Sequence, residues 1–182
     1  MIVKKYCLAV AATLFFSLIP VAESYKARID GEHSSITFEL GSTWHTIYGT
    51  ANEYSGEIVF DDPLSPTEVT GKIEIKADSL ATGLDMRDEK LRSHSLDVKT
   101  YPLITYTITQ YRAGEMLGEL MIKNVTKLVP LKLTSVKKGG HIEHTAIAHI
   151  DWSDYNVKDP SIFIATVDKK VTIKVTVRLA SD

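Results

Sequence analysis

Apolar and polar residues alternate with a period of two along most of the chain beyond residue 24. The alternation is strict over residues 36–40, 73–77 and 171–179. Such a pattern predicts strands with one buried face and one wet face, as in an antiparallel sheet that is exposed to water on one side. Segments with comparable alternation lie at residues 25–29, 43–50, 55–60, 103–111, 116–122, 128–136, 141–150 and 162–167.

One segment breaks this alternation and predicts a short helix. Residues 85–93 are rich in helix-forming side chains, with Asp85 placed to cap the first turn and Asp88 four residues before Arg92. No linker is long enough to separate two domains. Eight or more antiparallel strands in one domain leave exposed edges, which closure into a barrel removes. The sequence therefore predicts an all-β fold, an extended antiparallel barrel of about eight strands with one short helix.

Two of the predicted strands are long enough to make the barrel tall. Residues 68–77 and 170–179 each give about ten positions, or about 33 Å at the rise of an extended chain. A barrel of about eight strands can be filled by its own side chains or can hold a ligand along its axis. The strand pattern leaves both alternatives open.

The first 24 residues differ from the rest of the chain. Lys4 and Lys5 precede the apolar residues 6–19, and the small residues Ala22 and Ser24 follow in the spacing of a cleavage site. Fourteen residues of helix rise about 21 Å, less than the thickness of about 30 Å of a bilayer core. We interpret residues 1–24 as a signal peptide. Residues 25–182 then form a mature domain that is periplasmic or secreted and has no transmembrane segment after cleavage.

Composition changes when the predicted signal peptide is set apart. The 182-residue chain is 44% hydrophobic and 24% charged, with 21 basic and 23 acidic residues. Residues 1–24 contain two of the basic residues, one acidic residue and the single cysteine, Cys7. The remaining 158 residues therefore carry a net charge of −3 and no cysteine. A strongly cationic nucleic-acid binder is excluded, so we expect no nucleic-acid partner. A mature domain without cysteine has no thiol catalyst, disulfide or cysteine-ligated metal.

Groups that could carry catalysis or bind a metal are sparse. His141 and His149 share one face of a strand and His144 points to the other, so the three do not form a ligand set. His33 and Ser34 are adjacent and would project to opposite faces, and the chain contains no Gly-x-Ser-x-Gly elbow. We expect no metal site, no cofactor and no enzymatic activity.

Three motifs together resemble the YceI-like family of secreted, lipocalin-like, polyisoprenoid-binding proteins. They are Asp-x-x-His-Ser at residues 30–34, Arg-Asp-x-x-Leu-Arg-Ser at 87–93 followed by Tyr101 and Pro102, and Gly-x-Leu-x-Ile-x-x-Val-Thr-Lys-x-Val at 118–129. Their order and spacing match the family, and the resemblance covers the chain from Tyr25 to about Leu179. Residues 42–49 and 151–155 depart from the family pattern.

The resemblance implies a lipocalin-like barrel whose apolar lumen holds a long-chain polyisoprenoid or quinone-like lipid with its polar head at the mouth. Strand alternation then selects residues for the lumen, although a register error of one residue would exchange the whole set. The predicted lumen residues are Phe38, Leu40, Trp44, Tyr48, Ile73, Ile75, Tyr106, Leu120 and Ile122. The candidates for contact with the head group are His33, Ser34, Arg87, Lys90 and Arg92.

Two other functions are compatible with the sequence. A periplasmic stress-response or interaction protein would have a barrel filled by side chains and no ligand. An enzyme acting on a lipid head through His33 or residues 85–92 would need a histidine within reach of a hydroxyl nucleophile and a third, orienting group. The resemblance favours binding and carriage of an isoprenoid lipid, and the sequence leaves a homodimer open.

Overall fold

A computed structural model describes residues 24–180, which form a single antiparallel sheet of eleven strands. The predicted signal peptide, Ser24 apart, lies outside the described residues. Strands β1 to β11 span Tyr25–Ile29, Ser34–Ser42, Ile47–Ala51, Tyr54–Phe60, Val69–Lys76, Leu80–Ala81, Leu103–Arg112, Glu115–Ile122, Val125–Lys138, His141–Asp151 and Val167–Ala180. Helix α1 spans Asp85–Lys90 and continues as a wider π-type segment over Leu91–Leu96, and short 3-10 turns cover Ala77–Ser79 and Trp152–Tyr155.

The sheet curls on itself in the order β1-β4-β5-β7-β8-β9-β10-β11-β2-β3-β6. Edge strand β1 also contacts β11, which is how the curled sheet takes the shape of a barrel. The predicted fold class is confirmed, with eleven strands instead of about eight. Strand β6 pairs with β3 at Thr50 and Ala51, and a strand of two residues is too short to show alternation in a sequence.

The predicted strand at residues 162–167 is wrong. Ile162 and Ala165 close a tight turn through backbone hydrogen bonds of 3.0 and 2.9 Å, and β11 begins after it, at Val167. The alternation of this short segment therefore reflects a turn with exposed apolar residues at its tip.

The barrel has two unlike ends. Helix α1 and the loop 156–166 lie at one end, which we call the helical end, and the tight turns that join β7 to β8 and β9 to β10 lie at the opposite, far end. The register of β2 against β11 shows that β2 runs from the far end toward the helical end. Ser42 lies beside Val167 at the helical end, and Ser34 lies beside Val177 toward the far end.

The helix is held by a contact that the sequence analysis did not predict. Its N-cap residue is Leu84, without a side-chain cap, so Asp85 does not cap the first turn. Asp88 is buried, and its carboxylate accepts hydrogen bonds from the Thr82 backbone N–H at 2.8 Å and from the Thr82 hydroxyl. Asp88 thus fastens the helix to the segment after β6 and does not pair with Arg92 on the surface.

The far half of the barrel is filled by side chains. Phe60, Met116 and His144 are at most 2% exposed there. The His144 ring stacks on Phe60 with ring centroids 4.5 Å apart, and its Nδ1 lies 2.9 Å from Ser135 Oγ. Interiors of this kind are close-packed, so a ligand inside the barrel has to lie in the helical half.

Candidate functional site

An apolar cavity occupies the helical half of the barrel. Its volume is about 180 Å³, whereas a cavity for one water needs about 10–15 Å³. Its wall comes from β2, β3, β5 and β7 to β11. The aliphatic residues that line it on these strands include Ile36, Ile47, Ile104, Val129, Leu131, Ile150, Val171, Ile173 and Val175.

Seven of the nine predicted lumen residues line this cavity, namely Phe38, Leu40, Ile73, Ile75, Tyr106, Leu120 and Ile122. The predicted inward orientation of Trp44 and Tyr48 is wrong, because these side chains are 65% and 68% exposed. Tyr48 lies between the inward-facing Ile47 and Gly49 and pairs with the exposed Glu39 across β2. Trp44 lies in the turn between β2 and β3, where strand alternation does not apply.

Tyr106 contributes an aromatic wall and no free hydroxyl. Its hydroxyl donates to the carbonyl oxygen of Val129 at 3.0 Å, and burial raises the pKa of Tyr106 well above its ordinary value. The ring lies over Gly118, where a Cβ atom would come within 2.4 Å of Tyr106 Cζ. The glycine of the third motif therefore makes room for this ring, and the phenol stays neutral.

One charged side chain, Arg87, belongs to the cavity wall within the described part of the chain. Its Nε donates to Thr82 Oγ1 at 2.6 Å, and its Nη2 donates to the Thr82 carbonyl oxygen at 2.9 Å. Thr82 in turn is bonded to the buried Asp88, so the guanidinium is held in a fixed position. A guanidinium has five N–H donors, which leaves Arg87 donors for an acceptor at the helical end of the cavity.

Two other predicted head-group residues are engaged elsewhere on the helix. The Lys90 ammonium donates to the carbonyl oxygen of Ser161 and so ties the helix to the loop 156–166. Arg92 Nη2 lies 3.8 Å from a carboxylate oxygen of Glu89 on the helix surface. Neither side chain lines the cavity.

His33 and Ser34 lie at the turn between β1 and β2, and neither side chain lines the cavity. The His33 backbone N–H donates to Asp30 Oδ1 at 2.9 Å and lowers the pKa of that carboxyl, and Ser34 Oγ donates to the Asp30 carbonyl oxygen at 2.5 Å. The first motif is therefore an Asx-type turn that starts β2. Eight residues separate Ser34 from Ser42 at the helical end, about 26 Å along the strand.

The sequence analysis missed the residues that close the cavity at the helical end. These are Leu91 and Leu96 after the helix, and Trp152, Val157 and Pro160 between β10 and β11. The apolar positions in a charged helical segment could have indicated Leu91. Strand alternation could not place the loop 156–166 over the barrel, because that position depends on tertiary contacts such as the bond from Lys90.

Within residues 24–180, no helix is both long and apolar enough to cross a membrane. In the same residues, no group of three or more His, Cys, Asp or Glu side chains is placed to hold a metal ion. His144 faces the barrel interior, and His149 on the same strand is exposed, as the alternation predicted.

Known proteins share this fold and sequence pattern. A family model described as the YceI-like domain matches residues 28–179. A UPF0312 protein of Pseudomonas aeruginosa is 31% identical over 140 residues, which cover 72% of each chain. The solved structure of BcnA from Burkholderia cenocepacia has a TM-score of 0.65 and 23% identity, covering 81% of this chain and 96% of its own. A polyisoprenoid binding domain from Saccharophagus degradans has a TM-score of 0.60 and 16% identity, with coverages of 87% and 100%.

Proposed function

The chain belongs to the YceI-like family, and from this premise we propose that it binds and carries a long-chain polyisoprenoid or quinone-like lipid without catalysing a reaction. The observation that carries the proposal is the apolar cavity of the helical half, whose described wall contains one charged residue, Arg87. The structurally similar Saccharophagus degradans protein is described as a polyisoprenoid binding domain, which supports the same class of ligand here.

The shape of the cavity favours a long apolar chain. The residues of β11 that line the cavity lie between Val167 and Val175. These two residues are eight positions apart, which is about 26 Å of extended strand. Each buried methylene contributes about 0.8 kcal/mol, so one isoprene unit of five carbons contributes about 4 kcal/mol. Association costs about 4–15 kcal/mol in lost freedom. Two or more isoprene units must therefore be enclosed before useful affinity results.

The polar head of the ligand is assigned to Arg87. Thr82 and Asp88 fix this guanidinium at the edge of the cavity. A quinone carbonyl, phenolate or phosphate oxygen would accept hydrogen bonds from its remaining N–H groups. Hydrogen bonds from a charged donor are stronger than those between neutral groups. The apolar lumen then selects the tail, and Arg87 selects the orientation.

We also propose that the protein acts outside the cytoplasm. The support is the sequence pattern of residues 1–24, with its basic start and short apolar run. A lipid that is insoluble in water needs an enclosed carrier in an aqueous compartment, which the cavity would provide.

The alternative functions have less support from the geometry. A barrel filled throughout would suit an interaction protein without a ligand, but side chains fill its far half and leave the cavity in the helical half. An enzyme would need a hydroxyl, a histidine and a third group beside the cavity. Ser135 and His144 do lie 2.9 Å apart, but His144 Nε2 has no hydrogen-bond partner among the described residues, and the pair lies in the packed far half.

A binding measurement with paired variants tests the proposal. Leu120 lines the cavity, and Leu128 lies on the outer face of the next strand with 61% exposure. The protein is titrated with a quinone bearing four isoprene units, and quenching of tryptophan fluorescence is followed. We expect saturable quenching, at least tenfold weaker binding for Leu120→Arg because a charge would have to be buried beside the tail, and binding within twofold of the parent for Leu128→Arg.

A second variant covers the case in which Leu120→Arg does not fold. Ala148 lines the cavity, and Ala148→Phe would occupy the space of the tail without introducing a charge. Quenching that persists at the parent affinity in folded Ala148→Phe would contradict binding in the lumen.

A further inference from the structure

A second concave space, which we call the outer groove, lies on the outside of the sheet. It is lined by outward-facing side chains of β2, β3 and β11 and by the segment after β6, among them Glu39, Tyr48, Thr172, Lys174 and Gly83. The pairs Glu39 with Tyr48 and Thr172 with Glu39 place three of these side chains in one row across the strands. The outer groove is therefore a polar surface with one exposed aromatic ring.

The outer groove meets the cavity at a thin part of the barrel wall. Thr37, Phe38 and Thr82 line both spaces. Phe38 pairs with Gly49, and a Cβ atom on Gly49 would come within 2.1 Å of Phe38 Cζ. The Phe38 ring thus lies directly over the backbone of Gly49 and extends toward the free side of β3.

Strand pairing does not seal the barrel at this point. Strand β6 pairs with β3 at Thr50 and Ala51, and among the described residues no strand covers the same side of β3 at positions 47–49. After Ala81 the chain continues through Thr82 and Gly83, which line the outer groove without pairing with β3, and Gly83 has a φ of +80°. Between Gly49 and the segment 82–83, the Phe38 ring therefore borders both the cavity and the outer groove.

We propose that this gap is a lateral gate, that the Phe38 ring is its movable part, and that the outer groove receives the polar head of the lipid as the tail enters or leaves the cavity. The inference rests on the proposed lipid-binding function and adds a route and a second compartment to it. A change of the Phe38 χ1 rotamer moves the ring from Gly49 without breaking a backbone hydrogen bond, and rotamer changes are fast compared with strand separation.

The chemistry of the outer groove suits a head with hydroxyl or carbonyl oxygens. Lys174 and Thr172 can donate hydrogen bonds, Glu39 can accept them, and the exposed face of Tyr48 offers a surface for stacking. Arg87 lies on the cavity side of Thr82 and bonds to it, so a head that passes the gate moves from the groove residues to Arg87. The alternative route is the helical end, which α1 and the loop 156–166 cover.

The experiment measures uptake and release rates with the full chain and a defined quinone. Trp44→Phe leaves Trp152, which lines the cavity, as the single tryptophan reporter, and Cys7→Ser removes the native thiol. Stopped-flow mixing with a quinone bearing four isoprene units gives the uptake rate, and transfer from loaded protein to phosphatidylcholine vesicles gives the release rate. Tyr48→Cys, labelled with a bulky polar maleimide, obstructs the outer groove, and Thr134→Cys with the same label is the matched control on the exposed outer face of β9.

The lateral gate predicts that the label at position 48 slows both uptake and release at least tenfold while the label at position 134 changes them less than twofold. It also predicts that Phe38→Ala accelerates both rates about tenfold. Equal rates for the two labelled variants, with binding retained, would overturn the gate and leave the proposed function standing. Absence of any quenching in the unlabelled protein would overturn the proposed function and the gate together.

Discussion

Acid should weaken this fold through one buried histidine. His144 is 2% exposed, stacks on Phe60 in the packed far half, and contacts the Ser135 hydroxyl. Burial lowers the pKa of His144 from 6.5 to about 4, because the charged ring would lose its hydration. The imidazole is therefore neutral in the folded protein at pH 7 and resists protonation as the pH falls.

The direction and size of the effect follow from linkage. Because the folded-state pKa is the lower one, the unfolded chain binds the proton more readily, so the free energy of unfolding is highest above about pH 6.5 and falls as the pH drops toward 4. The shift of 6.5 to about 4 corresponds to about 3 kcal/mol in total, of which about 2 kcal/mol is lost between pH 7.5 and pH 5. The lowered pKa values of Asp30 and Asp151 act below this window, since their ordinary value is 3.8.

Urea unfolding at pH 7.5, 6.0 and 5.0 measures this dependence in the parent, His144→Leu and His149→Gln. His149 lies exposed on the outer face of the same strand and is the matched control. We expect His144→Leu to lose about 2 kcal/mol of the pH dependence and His149→Gln to keep it. Parallel curves for the parent and His144→Leu would refute the argument that the neutral ring is buried in the far half.

Two further variants test the wall and the head-group contact of the cavity. Gly118→Ala should lower the free energy of unfolding by about 1–3 kcal/mol through overpacking, because the added Cβ meets the Tyr106 ring at 2.4 Å. Gly140→Ala is the control, since no atom lies within 4 Å of the Cβ that it would add, and it should change the melting temperature little. Equal melting temperatures for the two variants would contradict the packing of Tyr106. Arg87→Gln should weaken quinone binding about tenfold, because it removes a charge-assisted hydrogen bond to the head. The same variant should bind squalene, which has no polar head, as tightly as the parent does. Arg112→Gln, at the exposed end of β7, is the control. An equal loss for both ligands in a titration would show that Arg87 supports the wall and does not contact the head.

Strand alternation predicted much of the cavity because it reports which face of a strand is apolar. It placed Ile73 and Ile75 on β5 and Leu120 and Ile122 on β8 correctly, since each strand is regular over those residues. It failed for Tyr48, whose neighbour Gly49 occupies the inward position beneath Phe38. The inner face of β3 carries Ile47 and Gly49, and a glycine at an inward position offers no apolar side chain that alternation could detect.

The division of the barrel into a filled half and an open half could not be predicted from alternation. Met116 and Leu120 follow the same pattern on β8, but Met116 is 2% exposed in the packed far half and Leu120 lines the cavity. The difference depends on which large side chains meet between distant strands. The same reason explains Asp88, whose buried bonds to Thr82 involve a segment six residues away.

Native mass spectrometry of the protein, after expression of the full chain in a host that makes polyprenyl lipids, shows directly whether the cavity holds a lipid. We expect a one-to-one complex with an isoprenoid lipid in the parent protein and in Leu128→Arg, and its loss in Ala148→Phe, whose added ring would fill the cavity. If no apolar species copurifies with the folded parent, even after quinones and prenyl phosphates have been offered, this cavity does not carry an isoprenoid lipid.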